Sequence, residues 1–178
     1  MFSKRLLQSV GACLLVFTAA GSASAQVEIG FDAGLTSTRI DGSELDVVQT
    51  DIPVQRLRVG FVVSPGVLIE PSIGYSRVEF DGVSQTTLQV GTDLVFHIGK
   101  NPFVPQLYVA GGPSLLRTDF GAGEETQVGV GGDVGLKVPV GGWMALRLGV
   151  GYTRWLESDT LLGADELGVF FGFSVFTH

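Results

Sequence analysis

The chain has 178 residues, with 11 Lys and Arg against 18 Asp and Glu, a formal net charge of −7 and 26 glycines. The acidic balance argues against nucleic acid as a partner. A single cysteine excludes a disulfide within the chain.

Residues 1–25 read as a secretory signal peptide. Lys4 and Arg5 form a basic start, residues 6–20 an apolar run, and Ala23-Ser24-Ala25 a small-x-small cleavage site before Gln26. The run is too short for a spanning helix. Cys13 closes a loose lipobox, Val10-Gly11-Ala12-Cys13, but the apolar run continues past it through Ala20, so Cys13 reads as a signal-peptide thiol. Cleavage leaves residues 26–178 as one domain without cysteine. Loss of Lys4 and Arg5 from the 11 basic residues leaves 9 against 18 acidic ones, a net charge of −9.

Eight segments with strict period-two alternation follow, the signature of strands with one apolar and one polar face. The first, residues 27–40, sets Val27, Ile29, Phe31 and Leu35 against Glu28, Gly30, Asp32 and Gly34. The second, 54–64, sets Leu57, Val59, Phe61 and Val63 against Arg56, Arg58 and Gly60. In the third, 67–80, Val67, Ile69, Ile73 and Tyr75 oppose Glu70, Ser72 and Gly74. In the fourth, 85–98, Leu88, Val90, Leu94 and Phe96 oppose Gln89, Gly91, Asp93 and His97. The fifth spans 103–118. The sixth and seventh form a hairpin around Pro139-Val140-Gly141-Gly142, with Gly129, Gly131, Asp133, Lys137 and Arg147 on the polar parity. The eighth, 165–176, sets Leu167, Val169, Phe171 and Phe173 against Glu166, Gly168, Gly172 and Ser174.

The connections alternate in length. Those after strands two, four and six are tight. Those after strands one, three, five and seven are mostly longer and include residues 41–53 and 155–164. Short periplasmic turns and longer outer loops fit a transmembrane barrel. A soluble lipocalin-like barrel would also alternate, with its apolar face inward. Two features favour the membrane. The polar face is rich in glycine, which suits a narrow packed interior. Aromatics also gather near strand ends: Phe61, Phe96, Phe103 and Trp143 at the short turns, Tyr75, Tyr152 and Trp155 at the long loops. Pro71, Pro105 and Pro113 fall within strands, where bulges or local breaks are expected.

The fold class is therefore all-β, an eight-stranded antiparallel up-and-down transmembrane β-barrel. So described, the mature chain resembles the eight-stranded outer-membrane barrel family of OmpA's membrane domain, OmpX and the opacity-type proteins. The resemblance rests on strand count, loop asymmetry and parity. It implies a location in the outer membrane and insertion by the barrel-assembly machinery, most simply as a monomer. The family's usual signature is a terminal aromatic in register with the lipid-facing residues. Here the last residue is His178, and Phe176 has the opposite parity to Phe171 and Phe173.

Glu28, Asp32, Arg56, Arg58, Glu70, Asp93, His97, Asp133, Lys137, Arg147 and Glu166 share the inward parity. Eight strands leave an interior just wide enough for side chains, and buried charges must be paired. These residues are expected to form a self-neutralising polar plug. Hairpin pairing puts Asp133 directly or diagonally beside Arg147, and Glu70 diagonal to Arg58. No cofactor and no metal site is expected. A small-conductance pore is a further possibility for this architecture. So is a lipid A-modifying enzyme, but it needs His, Ser and carboxylate together at the outer rim, and neither His97 nor His178 lies there. The loops are acidic, with Asp41, Glu44, Asp81, Glu124, Glu157 and Asp159, which suits a solvated rim or a surface-interaction role.

Arg39, Arg77, Arg117 and Arg154 lie on the apolar parity at the ends of odd-numbered strands. With the N-terminus periplasmic, all four reach the outer surface. A lipid-facing Arg is tolerated at that depth. The four are expected to bind the phosphates of lipopolysaccharide or another anionic outer-leaflet lipid.

Overall fold

The structure, a computed structural model, describes residues 27–42, 46–80, 83–99, 104–119, 123–158 and 161–177, with backbone alone at 46–55, 77–80 and 83–84. The expected signal peptide with Cys13, Phe103, the loop acids Glu44, Asp81 and Asp159, His178 and the side chain of Arg77 lie outside the described residues.

The strands are β1 (Val27–Ile40), β2 (Asp46–Ser64), β3 (Val67–Phe80), β4 (Val83–Ile98), β5 (Gln106–Asp119), β6 (Glu124–Pro139), β7 (Met144–Trp155) and β8 (Ala164–Thr177). Each pairs antiparallel with the next, and β8 closes on β1. Closure leaves no open sheet edge, the condition for a sheet to span hydrocarbon.

Side-chain direction decides between a soluble and a membrane barrel. Glu28, Asp32, Arg58, Glu70 and Arg147 are at most 3% exposed, whereas Leu148 is 52%, Val134 53% and Phe171 55% exposed. Charge is inside and aliphatic surface outside, the reverse of a lipocalin-like barrel. An apolar surface of that extent needs lipid around it.

Several sequence expectations are corrected. β2 starts at Asp46, so the connection expected at 41–53 is confined to residues 41–45. Val47, Val48 and Thr50 are β-branched and extend the ladder, with Val48 paired to Ser37 and Thr50 to Leu35. A bulge between Asp32 and Gly34 takes up the register shift this needs. Pro105 precedes β5 and interrupts nothing. Pro71 and Pro113 do lie in strands. The pairing passes from Arg58↔Ser72 to Phe61↔Ile69, and from Gly91↔Ser114 to Leu94↔Gly111, skipping the positions opposite each proline without a change of register. Each proline therefore costs a local break on the side where its N–H is missing, while the other side pairs (Pro71↔Thr92, Pro113↔Val130).

Trp155 is not a belt residue. Its parity turns it inward, where it is 2% exposed and donates from Nε1 to Glu166 Oε2 at 3.1 Å. Tyr75, Phe96, Trp143 and Tyr152 are exposed. The β6–β7 hairpin also differs from expectation. Val140 N–H bonds Met144 O at 2.8 Å, with Gly141 at φ 82° in the turn. Pro139 therefore pairs with Ala145 and Lys137 with Arg147, while Asp133 faces Gly151.

Candidate functional site

The lumen holds the charged residues in layers along the barrel axis. Nearest the termini, Lys137 on β6 pairs with Glu28 on β1, and its Nζ lies 4.9 Å from the Phe176 ring centre. Phe176 thus faces the lumen, as its parity requires. His97 on β4 lies at this end, 6.2 Å from Tyr108 between ring centres.

The central layer is a continuous chain of ion pairs. Arg58 grips Asp32 through Nε (2.6 Å) and Nη2 (2.9 Å) and Glu70 through Nη1 (2.9 Å). Glu70 presents its other oxygen to Arg147 Nη1 at 2.7 Å, and Arg147 Nη2 reaches Asp133 at 3.3 Å. Arg56 adds Nε and Nη2 contacts to Asp32 at 3.1 and 2.9 Å. Each guanidinium serves two carboxylates or shares one, the fork geometry that makes Arg effective in buried pairs. Tyr108 lies beneath Arg147, with Cζ 4.2 Å from its ring centre, and Phe170 lies 5.3 Å from Arg56 Cζ.

Glu70 is diagonal to Arg58, as the pairing Arg58↔Ser72 requires. Asp133 and Arg147 are not cross-strand neighbours. They meet because Arg147 extends along the lumen, and its direct partner across the ladder is the like-charged Lys137. That juxtaposition is tolerable because each cation has its own carboxylate, Glu28 for Lys137 and Glu70 for Arg147. Asp93, assigned to the same network, stands opposite Glu70 and makes no ion pair among the described residues. Tyr108 and Phe170 both have inward parity. Neither bears a charge that would mark it as a lumen residue in the sequence.

The central layer divides the interior. A cavity of about 620 Å³ lies toward the loops, lined by Asp32, Arg56, Asp93 and Asp133 among others. A second, of about 590 Å³, lies toward the termini and includes Glu28, His97, Lys137 and Phe176. Arg58, Glu70, Arg147 and Tyr108 line neither. They form the partition. Among the described residues no three His, Cys, Asp or Glu are grouped to hold a metal ion.

At the loop end, Arg154 clamps Asp41 with both guanidinium nitrogens (Nη1 to Oδ1 3.0 Å) and contacts Asp165 Oδ1 at 3.1 Å. Tyr152 donates to the same Asp165 oxygen at 2.5 Å. The hydrogen bond from Arg154 holds the Asp41 carboxyl below its ordinary range. Arg117 pairs with Glu124. Arg39 is exposed, its backbone paired with Asp46 and Asp165. Two of the four rim arginines thus already carry carboxylates, which the sequence had not shown. Gln127 Nε2 holds the β7–β8 connection through the carbonyls of Leu156 (3.0 Å) and Leu162 (2.9 Å).

The model of the outer membrane protein beta-barrel domain matches residues 10–174. Among solved structures, Neisserial surface protein A is similar at 14% identity, over 84% of this chain and 96% of that chain, with a TM-score of 0.67. The outer membrane protein OprG from Pseudomonas aeruginosa is similar at 12% identity, over 88% and 97%, with a TM-score of 0.55. Ail, the attachment invasion locus protein of Yersinia pestis, gives 13%, 87%, 100% and 0.52. At such identities the likeness shows a shared fold. No curated protein matches the chain.

Proposed function

Because the chain belongs to the outer membrane protein beta-barrel domain family, we propose that it is a non-enzymatic barrel with a structural or surface-interaction role, its lumen closed by charge. Its place is the outer membrane. The observation that supports the reading is the Arg58–Glu70–Arg147 layer, which is buried and lines neither of the two cavities. In this reading residues 1–25 direct export, the barrel-assembly machinery inserts the mature chain, and it works as a monomer. A catalytic reading lacks support: His97 lies at the terminal end, beside Tyr108 and far along the strand from the loops.

With the termini periplasmic, β1, β3, β5 and β7 end at the outer surface. Arg39, Arg77, Arg117 and Arg154 then form a ring at headgroup depth, where a lipid-facing Arg costs only about 0–1 kcal/mol. They would hold lipopolysaccharide phosphates through paired N–H donors. Arg39, exposed, would do so directly. Arg117 and Arg154, already beside Glu124, Asp41 and Asp165, would do so with divalent cations bridging phosphate to carboxylate. A quadruple Arg→Gln variant, purified from outer membranes, is expected to lose most of its co-purifying lipopolysaccharide. An amount equal to the parent's would remove the ring from the account. Mass spectrometry of lipid A, unchanged on expression, checks the non-enzymatic part.

A further inference from the structure

The cavity on the loop side of the partition is not a packing remnant. Gly91, Gly112, Gly131, Gly151 and Gly168, one from each of the consecutive strands β4 to β8, line it. Gly112 pairs directly with Gly131, and Gly151 with Gly168. At the central layer the inward glycines are covered by neighbouring side chains, Gly30 by Arg58, Gly135 by Tyr108 and Gly149 by Phe170. Here five strands have no side chain at these positions, and a chamber of about 620 Å³ results, within the usual size of a small-molecule site.

Its wall has a definite chemistry. Thr36, Thr87, Gln89, Ser114 and Thr153 line it with hydroxyls and amides. Such groups both donate and accept, so they match a ligand that does the same. Its floor has a charge to spare. Glu28, Asp32, Glu70, Asp93 and Asp133 face Arg56, Arg58, Lys137 and Arg147 across the lumen. Every one of these except Asp93 enters an ion pair. Asp93 lines the chamber, faces Glu70 across the ladder, and has Asp133 as a second acidic neighbour on the same floor. Arg56, which also lines the chamber, is turned to Asp32 by two hydrogen bonds, so Asp93 is left without an ion pair of its own. A bare metal ion does not fit, since no three suitable ligands are grouped there among the described residues. The rim above stays acidic overall even with Arg154 paired to Asp41 and Asp165 and Arg117 to Glu124, and would draw a cation inward.

We propose that this chamber binds a small hydroxylated organic cation, an amino sugar in chemical class, with its ammonium group on Asp93 and its hydroxyls on the Thr, Ser and Gln wall. The partition below makes the chamber a cup, so occupancy requires no passage through the barrel and no lipid at the arginine rim.

The test is calorimetry on the full mature barrel in detergent at neutral pH, with glucosamine as the probe and N-acetylglucosamine as its uncharged counterpart. Glucosamine is expected to bind one saturable site. N-acetylglucosamine should bind at least about tenfold more weakly, the scale of one lost charge-assisted hydrogen bond. Asp93→Asn should abolish that preference while leaving the barrel folded by its gel mobility. Gly91→Leu should remove binding of both sugars. A side chain can start there without meeting backbone closer than Pro113 O at 3.5 Å. If Gly91→Leu does not fold, the sugar preference of Asp93→Asn against the parent decides alone. No saturable heat with glucosamine, equal affinity for both sugars, or an unchanged preference in Asp93→Asn overturns the proposal.

Discussion

Arg147→Ala is the sharpest perturbation of the central layer. Arg147 is 3% exposed and bridges Glu70 at 2.7 Å and Asp133 at 3.3 Å, with Tyr108 beneath its guanidinium. Deleting one partner of a buried ion pair costs about 3–5 kcal/mol, because a desolvated charge is left behind. Glu70 keeps Arg58 in the variant, so the lower end of that range applies. For a chain of this size about 2–4 °C of midpoint accompanies each kcal/mol, giving a fall of ~6–12 °C. Thermal unfolding in detergent, followed by gel mobility and circular dichroism, reads it. The double variant Arg147→Met, Glu70→Gln removes charge from both sides and should recover part of the loss, since a buried pair is often no better than an apolar replacement. Arg154→Ala, at the exposed rim, should leave the midpoint close to the parent's. If Arg147→Ala matched the parent, the layer would not be a cooperative network and the reasoning would fail.

Gly112→Ala should prevent formation of the folded, gel-shifted barrel, because a Cβ there collides with the Thr92 carbonyl on β4; Gly151→Ala, whose Cβ would meet Asp133 Cβ at 3.4 Å and Gly132 O at 3.6 Å, should fold normally. Lipids brominated near the headgroup should quench Trp143, which is 58% exposed, and spare Trp155, which is 2% exposed. A Trp143→Phe variant quenched as strongly as the parent would contradict the inward placement of Trp155. Asp41 has its carboxyl lowered by the hydrogen bond from Arg154, so the clamp is present at neutral pH, persists as pH falls to the ordinary value of 3.8, and is lost only below it. NMR of the Asp41 carboxyl should show that midpoint below 3.8, and a midpoint at or above it would mean the clamp is absent.

The barrel was legible because its period is two and its solvent changes from face to face. Leu148 and Arg147 are adjacent in sequence and lie on opposite sides of the wall, 52% and 3% exposed. Parity also found every charge in the central layer. Register was less legible. Whether Asp133 or Lys137 faces Arg147 depends on how many residues the turn consumes, and Pro139-Val140-Gly141-Gly142 does not say that Trp143 is spent in it too. Trp155 was misread for a related reason. An aromatic near a strand end suggests a belt, but its parity is that of Arg147 and Thr153, and parity decides. Tyr108 and Phe170 carry inward parity as well and were overlooked because they bear no charge. The extension of β2 back to Asp46 was hidden behind Asp51 and Pro53, which look like loop residues until β1 is seen to have a free edge there. The chamber could not be anticipated. The glycine-rich polar face reads as a packed interior, and only the pairing Gly112↔Gly131 and Gly151↔Gly168, which brings glycines to one level, shows that it leaves a chamber instead.

The account stands most directly on closure of the lumen by Arg58, Glu70 and Arg147. Planar-bilayer recording of the purified mature barrel measures it. Closed bilayers with at most rare, small openings are predicted, with openings becoming more frequent in Arg147→Ala as the partition loses a member. Steady, large conductance steps from the parent protein, unchanged in Arg147→Ala, would show that ions pass by a route the partition does not block.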